Sequence, residues 1–387
     1  MTVISPTLVE SAETRLNGIL SDIQKLVEVE SPSEDLEAVS RGAIAVAEII
    51  FNRLGAEVET LDRDGVTHLR LRFGAGNPKV VILTHQDTVW PIGTLERVPF
   101  SNDGSVLRGP GSFDMQTGVV MAIHAIAMLQ QERVNLEGLS LLVTGDEEVG
   151  STTSQELIVA ETQEAEAVFV TEGALDTSLK IARKGSSNYV VVVEGKAAHA
   201  GLEPENGVNA GLALGLLLPR LVEMGNSDKG TTVTPTVLKA GTTTNTVPAH
   251  AEVTVDVRAA TQEEQDRVDH AMRALESPLY GATVTIHGDI NRPPMERGTN
   301  EALFAQAQSV AKTLGIEVPD GVAVGGASDG NFTAAQGIPT LDGMGACGAG
   351  AHAEHEHALV DYIAPRTALL AAMVAIHLGA TDRADEA

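Results

Sequence analysis

The stretch Val80-Val81-Ile82-Leu83-Thr84-His85-Gln86-Asp87-Thr88 constrains this chain more than any other. Four branched apolar residues follow one another without alternation, which describes a strand buried on both faces, as in a parallel sheet. In open α/β sheets, functional groups stand just past the carboxyl ends of such strands. His85 falls at that place. Asp87 lies close enough to accept the second ring N–H, which would fix the nitrogen facing outward.

Other runs repeat the arrangement. Leu139 to Thr144 leads to Gly145-Asp146-Glu147-Glu148, and Ala167 to Thr171 leads to Glu172. Ile338 to Asp342 leads to a glycine-rich loop and then His352. Between them, Leu107 to Asp114 is a glycine-rich approach to a single aspartate, followed by an apolar stretch with helical character from Thr117 to Gln131. Asp114 is thus expected at the mouth of a helix, where the dipole suits a carboxylate. The strand ends deliver His, Glu-Glu, Glu and His toward one edge of one sheet.

The texture changes between Gly185 and Pro293. Strands are expected at 189–194, 232–240, 252–259 and 282–290, with helices at 207–224 and from Thr261, where Glu264 completes a capping box. Val253, Val255 and Val257 alternate with polar residues, as in a sheet with one face exposed. The β-α-β-β-α-β order is the split βαβ, or ferredoxin-like, motif. The expected fold class is therefore α/β. A mostly parallel-sheet catalytic domain is built from residues 1–184 and 294–387. An α+β ferredoxin-like domain, residues 185–293, is inserted between.

Composition narrows the function. A formal charge of −27 over 387 residues excludes nucleic acid and anionic membrane as natural partners, since both need a positive footprint. The longest apolar stretch noted, near Ala210 to Leu218, is far short of the ~20 residues that span a bilayer. The first ten residues carry neither a basic nor an apolar leader region, so the cytoplasm is expected. One cysteine, Cys347, excludes an internal disulfide and a thiolate zinc site.

His85, Asp114, Glu148, Glu172 and His352 are the residue types that divalent metals take when no thiolate is offered. One aspartate shared between two metals, each with one His and one Glu besides, would satisfy a two-metal site acting on a bridging water. Such a site still needs a general base, and Glu147 beside Glu148 is the candidate.

The strings THQDTV, GPGSFDMQTG, TGDEEVGS, VTEGA and GAGAHAEHE resemble the five metal-site motifs of the dinuclear zinc metallopeptidases, the family of glutamate carboxypeptidase, aminoacylase and succinyl-diaminopimelate desuccinylase. The resemblance implies that His85, Asp114 and Glu172 hold one zinc and Asp114, Glu148 and His352 the other, with cobalt or manganese as alternatives. It further implies that Asp87 orients His85 and that Glu147 is the base. The His352-to-Glu356 spacing, matched in the family, selects His352 over His355 and His357. The inserted domain would then be a lid that mediates homodimerisation, with His199 reaching the partner's active site. Asn245, Arg258 and Arg292 match substrate-contact positions. Glutamate at 172 looks more like the carboxypeptidase and deacylase branch than the aminopeptidase branch. The implied activity is cleavage of the amide bond before a C-terminal amino acid in a small peptide or N-acyl amino acid. N-acyl-amino-acid deacylation or desuccinylation is the alternative.

Two remoter readings compete. Gly326-Ala327-Ser328-Asp329-Gly330 fits the G-x-S-x-G nucleophile elbow, with Asp342 and His352 following in order, as a serine hydrolase would require. The chain could also be a metal-binding protein without catalysis, although Glu147 and every candidate ligand are present.

Overall fold

The computed structural model describes residues 4–380. In chain order the principal elements are α1 (Thr7–Val27), α2 (Leu36–Leu54), β1 (Glu59–Arg63), β2 (Val66–Phe73), β3 (Val80–His85), α3 (Thr117–Gln131), β4 (Leu139–Thr144), α4 (Gln155–Thr162) and β5 (Ala167–Val170). There follow β6 (Gly185–Glu194), α5 (Ala210–Glu223), β7 (Thr232–Ala240), β8 (His250–Ala259), α6 (Gln262–Arg273), β9 (Thr283–Arg292), α7 (Arg297–Leu314), α8 (Gly330–Ala335), β10 (Thr340–Leu341) and α9 (Val360–His377). The chain divides into two compact units, residues 1–182, 297–323 and 328–387 in one, and 183–296 with 324–327 in the other. The return of 324–327 to the second unit is a feature that no composition shift announces.

The first unit is a mixed α/β structure around a six-stranded sheet in the order β1-β2-β4-β3-β5-β10. The strands from β4 to β10 run parallel, while β2 and β1 are antiparallel at one edge. The sheet is therefore mixed, with three parallel pairings and two antiparallel ones. The reason is local, since β1 and β2 are joined by the tight turn at Asp64-Gly65, which only an antiparallel pair accommodates.

The lack of alternation in β3 has a direct cause. Val80 and Ile82 enter a large core with α1, α2, α3, α7 and α9, whereas Val81 and Leu83 enter a second core with Ile158 and Phe332 on the opposite face. All four side chains are fully buried, each worth ~1.5–3 kcal/mol relative to exposure. A polar substitution anywhere from Val80 to Leu83 therefore strikes one core or the other. The longest apolar stretch is not that of α5 but Ser112–Gln131, which by length and composition alone could cross a membrane. In the structure 94% of that window is buried, and α3 packs against α1, α2 and α9 as the central helix of the larger core.

Helix ends follow their sequence signals. Asp35 caps α2 by accepting from the Ala38 N–H, and Gly55 closes it in a left-handed conformation at φ 66°.

The second unit has a four-stranded antiparallel sheet in the order β7-β8-β6-β9. Tyr189, Val191, Val193, Val253, Val255 and Val257 point to one face and pack on Leu214, Leu217 and Leu221 of α5 and Val268 and Met272 of α6. On the other face β8 presents the polar residues Glu252, Thr254, Asp256 and Arg258, which is why this strand alternates and β3 does not. Thr261 caps α6 through the Glu264 N–H. The Glu264 carboxylate turns instead to Arg267, Thr231 and Lys229, so the reciprocal half of the capping box is not made.

Candidate metal centre

The centre is assembled at the carboxyl ends of the parallel strands. His85 is the last residue of β3, Glu147 and Glu148 lie on a single 3₁₀ turn after β4, and Glu172 stands two residues past β5. Asp114 lies in the turn Ser112–Gln116 that feeds α3. That helix approaches β5 closely because residue 118 is glycine, where a Cβ would fall 1.9 Å from the Thr171 carbonyl oxygen. His352, on the loop between β10 and α9, takes the left-handed conformation at φ 62°. For a residue with a side chain this costs ~1–2 kcal/mol, and such departures gather at functional sites.

The structure brings five expected residues into two groups that share Asp114. In each group, His85–Asp114–Glu172 and Asp114–Glu148–His352, the candidate ligand atoms lie within 4.8 Å of one another. His85 Nε2 stands 3.4 Å from Asp114 Oδ1 and 3.4 Å from Glu172 Oε1. His352 Nε2 stands 3.1 Å from Glu148 Oε2 and 3.4 Å from Asp114 Oδ2. Lys180 Nζ is 3.8 Å from Glu172.

The donor set fits divalent cations that accept nitrogen and oxygen. His85 Nε2 and Asp114 Oδ1 are buried and meet no hydrogen-bond partner among the described residues. Leaving such atoms unsatisfied is costly unless something else is bound between them. The electrostatics agree. Burial works against charge on His85, yet Asp114, Asp87 and Glu172 together push its imidazole well above the usual range. Asp114 and Glu148 push His352 up to about 10. Asp114 is held far below the ordinary carboxylate range against its burial, mainly by His352 and His85. Glu148 is pushed up by its burial and by Asp114. Three carboxylates have thus been gathered where they repel, which is the arrangement that draws positive charge.

Asp87 departs from expectation in detail. His85 Nδ1 lies 3.0 Å from the backbone carbonyl of Asp87 and 3.5 Å from its carboxylate. The fully buried carboxylate accepts from Ser33 Oγ at 2.6 Å and from the backbone N–H groups of Glu147 and Glu148 at 3.2 and 3.1 Å. It therefore ties the β3 end to the glutamate turn as well as facing the imidazole.

A residue used above only to select His352 by spacing has a larger part. Glu356 is buried, and its carboxylate accepts four donors, Trp90 Nε1 and Gly111 N on one oxygen, Phe113 N and Asp114 N on the other. Burial nevertheless raises its pKa to about 7. Asp329 was also not singled out. It accepts from Ser151 Oγ and from Thr144 Oγ1, bracing the glutamate turn from below. The signals for these contacts were the single tryptophan of the chain, Trp90, and the serine Ser151 directly after Gly150.

The nucleophile-elbow reading does not survive the geometry. Ser328 is fully buried and donates to Asp342 Oδ2 at 2.5 Å, while the His352 ring faces Asp114 and Glu148. Two histidines outside the centre also have acidic partners. His124 meets Asp22 at 2.8 Å and His250 meets Glu194 at 2.7 Å.

The other expected residues lie on the second unit. Arg258 is engaged with Asp256 at 2.9 Å. Arg292 is buried at the end of β9, opposite Ser186. The Asn245 carbonyl accepts from Ala200 N. His199 is exposed, and its Nδ1 accepts from the N–H groups of Gly201 and Leu202, both at 3.1 Å. The ring proton therefore sits on Nε2 in the neutral form.

Comparison with known proteins places this architecture. A family model described as peptidase family M20/M25/M40 matches residues 81–376. Carboxypeptidase G2 from Pseudomonas sp. (strain RS-16) is 28% identical, over 96% of this chain and 92% of its own length. Succinyl-diaminopimelate desuccinylase from Acinetobacter baylyi is 27% identical, over 81% of this chain and 87% of its own. Among solved structures, a Bacillus cereus aminopeptidase superposes with a TM-score of 0.74 at 21% identity, covering 94% of this chain and 99% of that one. A dinuclear metal-binding peptidase of Bacillus subtilis gives 0.67 at 18% identity, over 96% and 100% of the two chains.

Proposed function

This chain belongs to peptidase family M20/M25/M40 and is a hydrolytic metallopeptidase, and from that premise we propose that it cleaves the amide bond before a C-terminal amino acid, as a carboxypeptidase. The observation that carries the reading is the sharing of Asp114 between His85–Glu172 and Glu148–His352. His85, Asp114 and Glu172 would hold one divalent cation and Asp114, Glu148 and His352 the second. Zinc is the first expectation, with cobalt or manganese as alternatives.

Such a pair of cations, when bound, polarises a carbonyl and lowers the pKa of a water toward ~7. The remaining work falls to the chain. The Glu147 carboxylate takes the proton of the attacking water and hands it to the leaving amine. Asp87 holds the backbone of Glu147 and Glu148, so the base and its neighbouring ligand move as one piece. His199, with its proton on Nε2, is suited to donate to the developing oxyanion, and we assign it that role across a dimer. Asn245, Arg258 and Arg292 are assigned to the substrate, Arg292 with Asn245 to its free carboxylate, because a guanidinium meets a carboxylate with two parallel N–H bonds. These substrate-contact assignments rest on the family resemblance.

In this reading the second unit is the ferredoxin-like dimerisation (lid) domain, and the protein is a cytoplasmic homodimer. An exposed apolar face supports the assembly. Leu212, Leu216 and Val222 of α5 and Val237 and Leu238 of edge strand β7 are about half exposed. Light scattering at micromolar concentration should read two chains. A monomer would remove both the dimer and the role of His199.

Substrate polarity is tested by N-acyl amino acids and dipeptides with the C-terminus free or amidated. Free substrates should be hydrolysed and amidated ones should not. Equal rates on both would make the enzyme an aminopeptidase. Release of succinate as the preferred product would favour the desuccinylase alternative carried by the second relative.

A further inference from the structure

A hollow of about 440 Å³ opens beside the candidate metal centre, with Glu148 in its lining. Its walls come from the segment after α1 and from the loops that follow β3 and β4. Pro32, Val89, Ile92 and Val149 supply the apolar surface. Three of these are large side chains left exposed to solvent, Val89 at 38%, Ile92 at 51% and Val149 at 45%. Scattered singly, such residues need no explanation, but grouped around one hollow that touches a functional carboxylate they describe a binding surface.

The charges at the hollow are all of one sign. Glu148 is committed to the metal centre, Glu34 and Asp35 are the other ionisable lining residues, and among the described lining residues none is basic. Asp35 is committed to capping α2 through the Ala38 N–H, which holds its side chain in position at the hollow. An anionic group entering here would meet carboxylates and apolar walls, whereas an uncharged apolar group would meet only surface it can cover. The difference favours the apolar group because a carboxylate taken from water meets no basic lining residue, while covering the apolar walls is favourable.

We propose that this hollow is the subsite for the acyl side of the scissile bond and that it selects an uncharged, apolar acyl group while rejecting a carboxylate-bearing one. The proposal rests on the hydrolase reading above and deepens it, because it sets the chain apart from desuccinylase-type substrates. Ile92 is the specificity-determining residue, being the most exposed of the three large apolar side chains and not itself a candidate ligand.

The experiment compares N-benzoyl- and N-succinyl-amino acids that share one leaving residue, taking alanine and glutamate in turn, with zinc added. Benzoyl substrates should exceed succinyl ones in kcat/KM by about tenfold or more, the scale on which a hydrophobic pocket discriminates. Ile92→Lys should lower the benzoyl value by about tenfold and raise the succinyl value, while Ile92→Leu keeps the original order. A ratio near one, or a ratio that Ile92→Lys leaves unchanged, overturns the subsite. If no free-carboxylate substrate is hydrolysed, the carboxypeptidase reading fails and the subsite is decided by binding. In that arm N-benzoylalanine and N-succinylalanine are titrated into the Glu147→Gln protein and into the same protein carrying Ile92→Lys. Tighter benzoyl binding that Ile92→Lys weakens supports the subsite, and equal or absent binding of the two overturns it.

Discussion

Two kinds of acidic cluster occur in this molecule, and they are built differently. In the second unit Glu264 meets Arg267 at 2.8 Å and Asp269 meets Arg273 at 3.0 Å. Glu161 in the first unit closes in the same manner on Arg72 at 2.5 Å, with Arg70 at 3.2 Å. Around Asp114 three carboxylates converge instead on two imidazoles, at 3.1 to 3.4 Å, with Lys180 at 3.8 Å from one of them. The closed pairs satisfy themselves with permanent cations. The open cluster is served by histidines, whose nitrogens can bind either a proton or a metal. A buried carboxylate with an arginine fork on it is structural, whereas carboxylates facing imidazoles at loose distances are waiting for an exchangeable charge.

The strongest way to break this contrast is to compare Asp114→Asn with Glu147→Gln. Asp114 is common to both groups, so its loss should take metal content from close to two per chain to below one and abolish turnover. Glu147 belongs to neither group, so Glu147→Gln should keep near two metals while kcat falls by about 10²–10⁴, the usual worth of a general base. Elemental analysis and steady-state kinetics on the two proteins check this. Metal loss in Glu147→Gln, or retention of two metals in Asp114→Asn, would mean that the sharing of Asp114 has been misread.

A finer test concerns what holds the open cluster in place. Glu356 accepts four donors, three of them backbone N–H groups of the turn carrying Asp114. An amide at that position would set an N–H against two of those donors. Glu356→Gln should therefore weaken metal affinity or activity by about 10–100-fold, as loss of a ligand-orienting partner does, although no ligand is removed. Trp90→Phe removes one donor only and should have the smaller effect. Equal metal affinity in Glu356→Gln and the unaltered protein would show that the turn holds its shape unaided.

These residues also mark where reading the sequence succeeds and where it stops. His85, Glu148 and Glu172 were legible because a doubly buried strand announces itself by an unbroken apolar run and the functional position is its carboxyl end. Asp114 and His352 were legible from glycine-rich approaches and the family motifs. The bonds of Asp87 were not, because its partners Ser33 and Glu148 lie 54 and 61 residues away. The Asp22–His124 pair was missed for the same reason, at a separation of 102 residues. Local pattern dictates which face a side chain takes, and tertiary packing decides whom it meets there.

The smallest expected effect separates the closed pairs from the open cluster by stability instead of activity. Glu161 is almost fully buried on α4 and accepts from Arg72, Arg70 and Ser140. Burial alone would raise its pKa, but these partners, Arg72 foremost, hold it below the ordinary value of 4.5. A depressed folded-state pKa contributes stability that is fully present above the unfolded value and is lost as pH falls through the folded one. The contribution from Glu161 should therefore be constant near neutrality and fade below about pH 4.5. Urea unfolding of the metal-free protein between pH 7 and 3 isolates this, because chelation first removes the centre's own proton–metal exchange. Glu161→Gln leaves Arg72 and Arg70 without their buried partner and should cost about 3 kcal/mol at pH 7, with the deficit shrinking as the pH falls below 4.5. Metal stoichiometry in this variant should stay near two. A deficit that persists unchanged to pH 3 would show that the loss comes from packing rather than from the closed ion pair, and the contrast between the two kinds of cluster would then rest on the metal measurements alone.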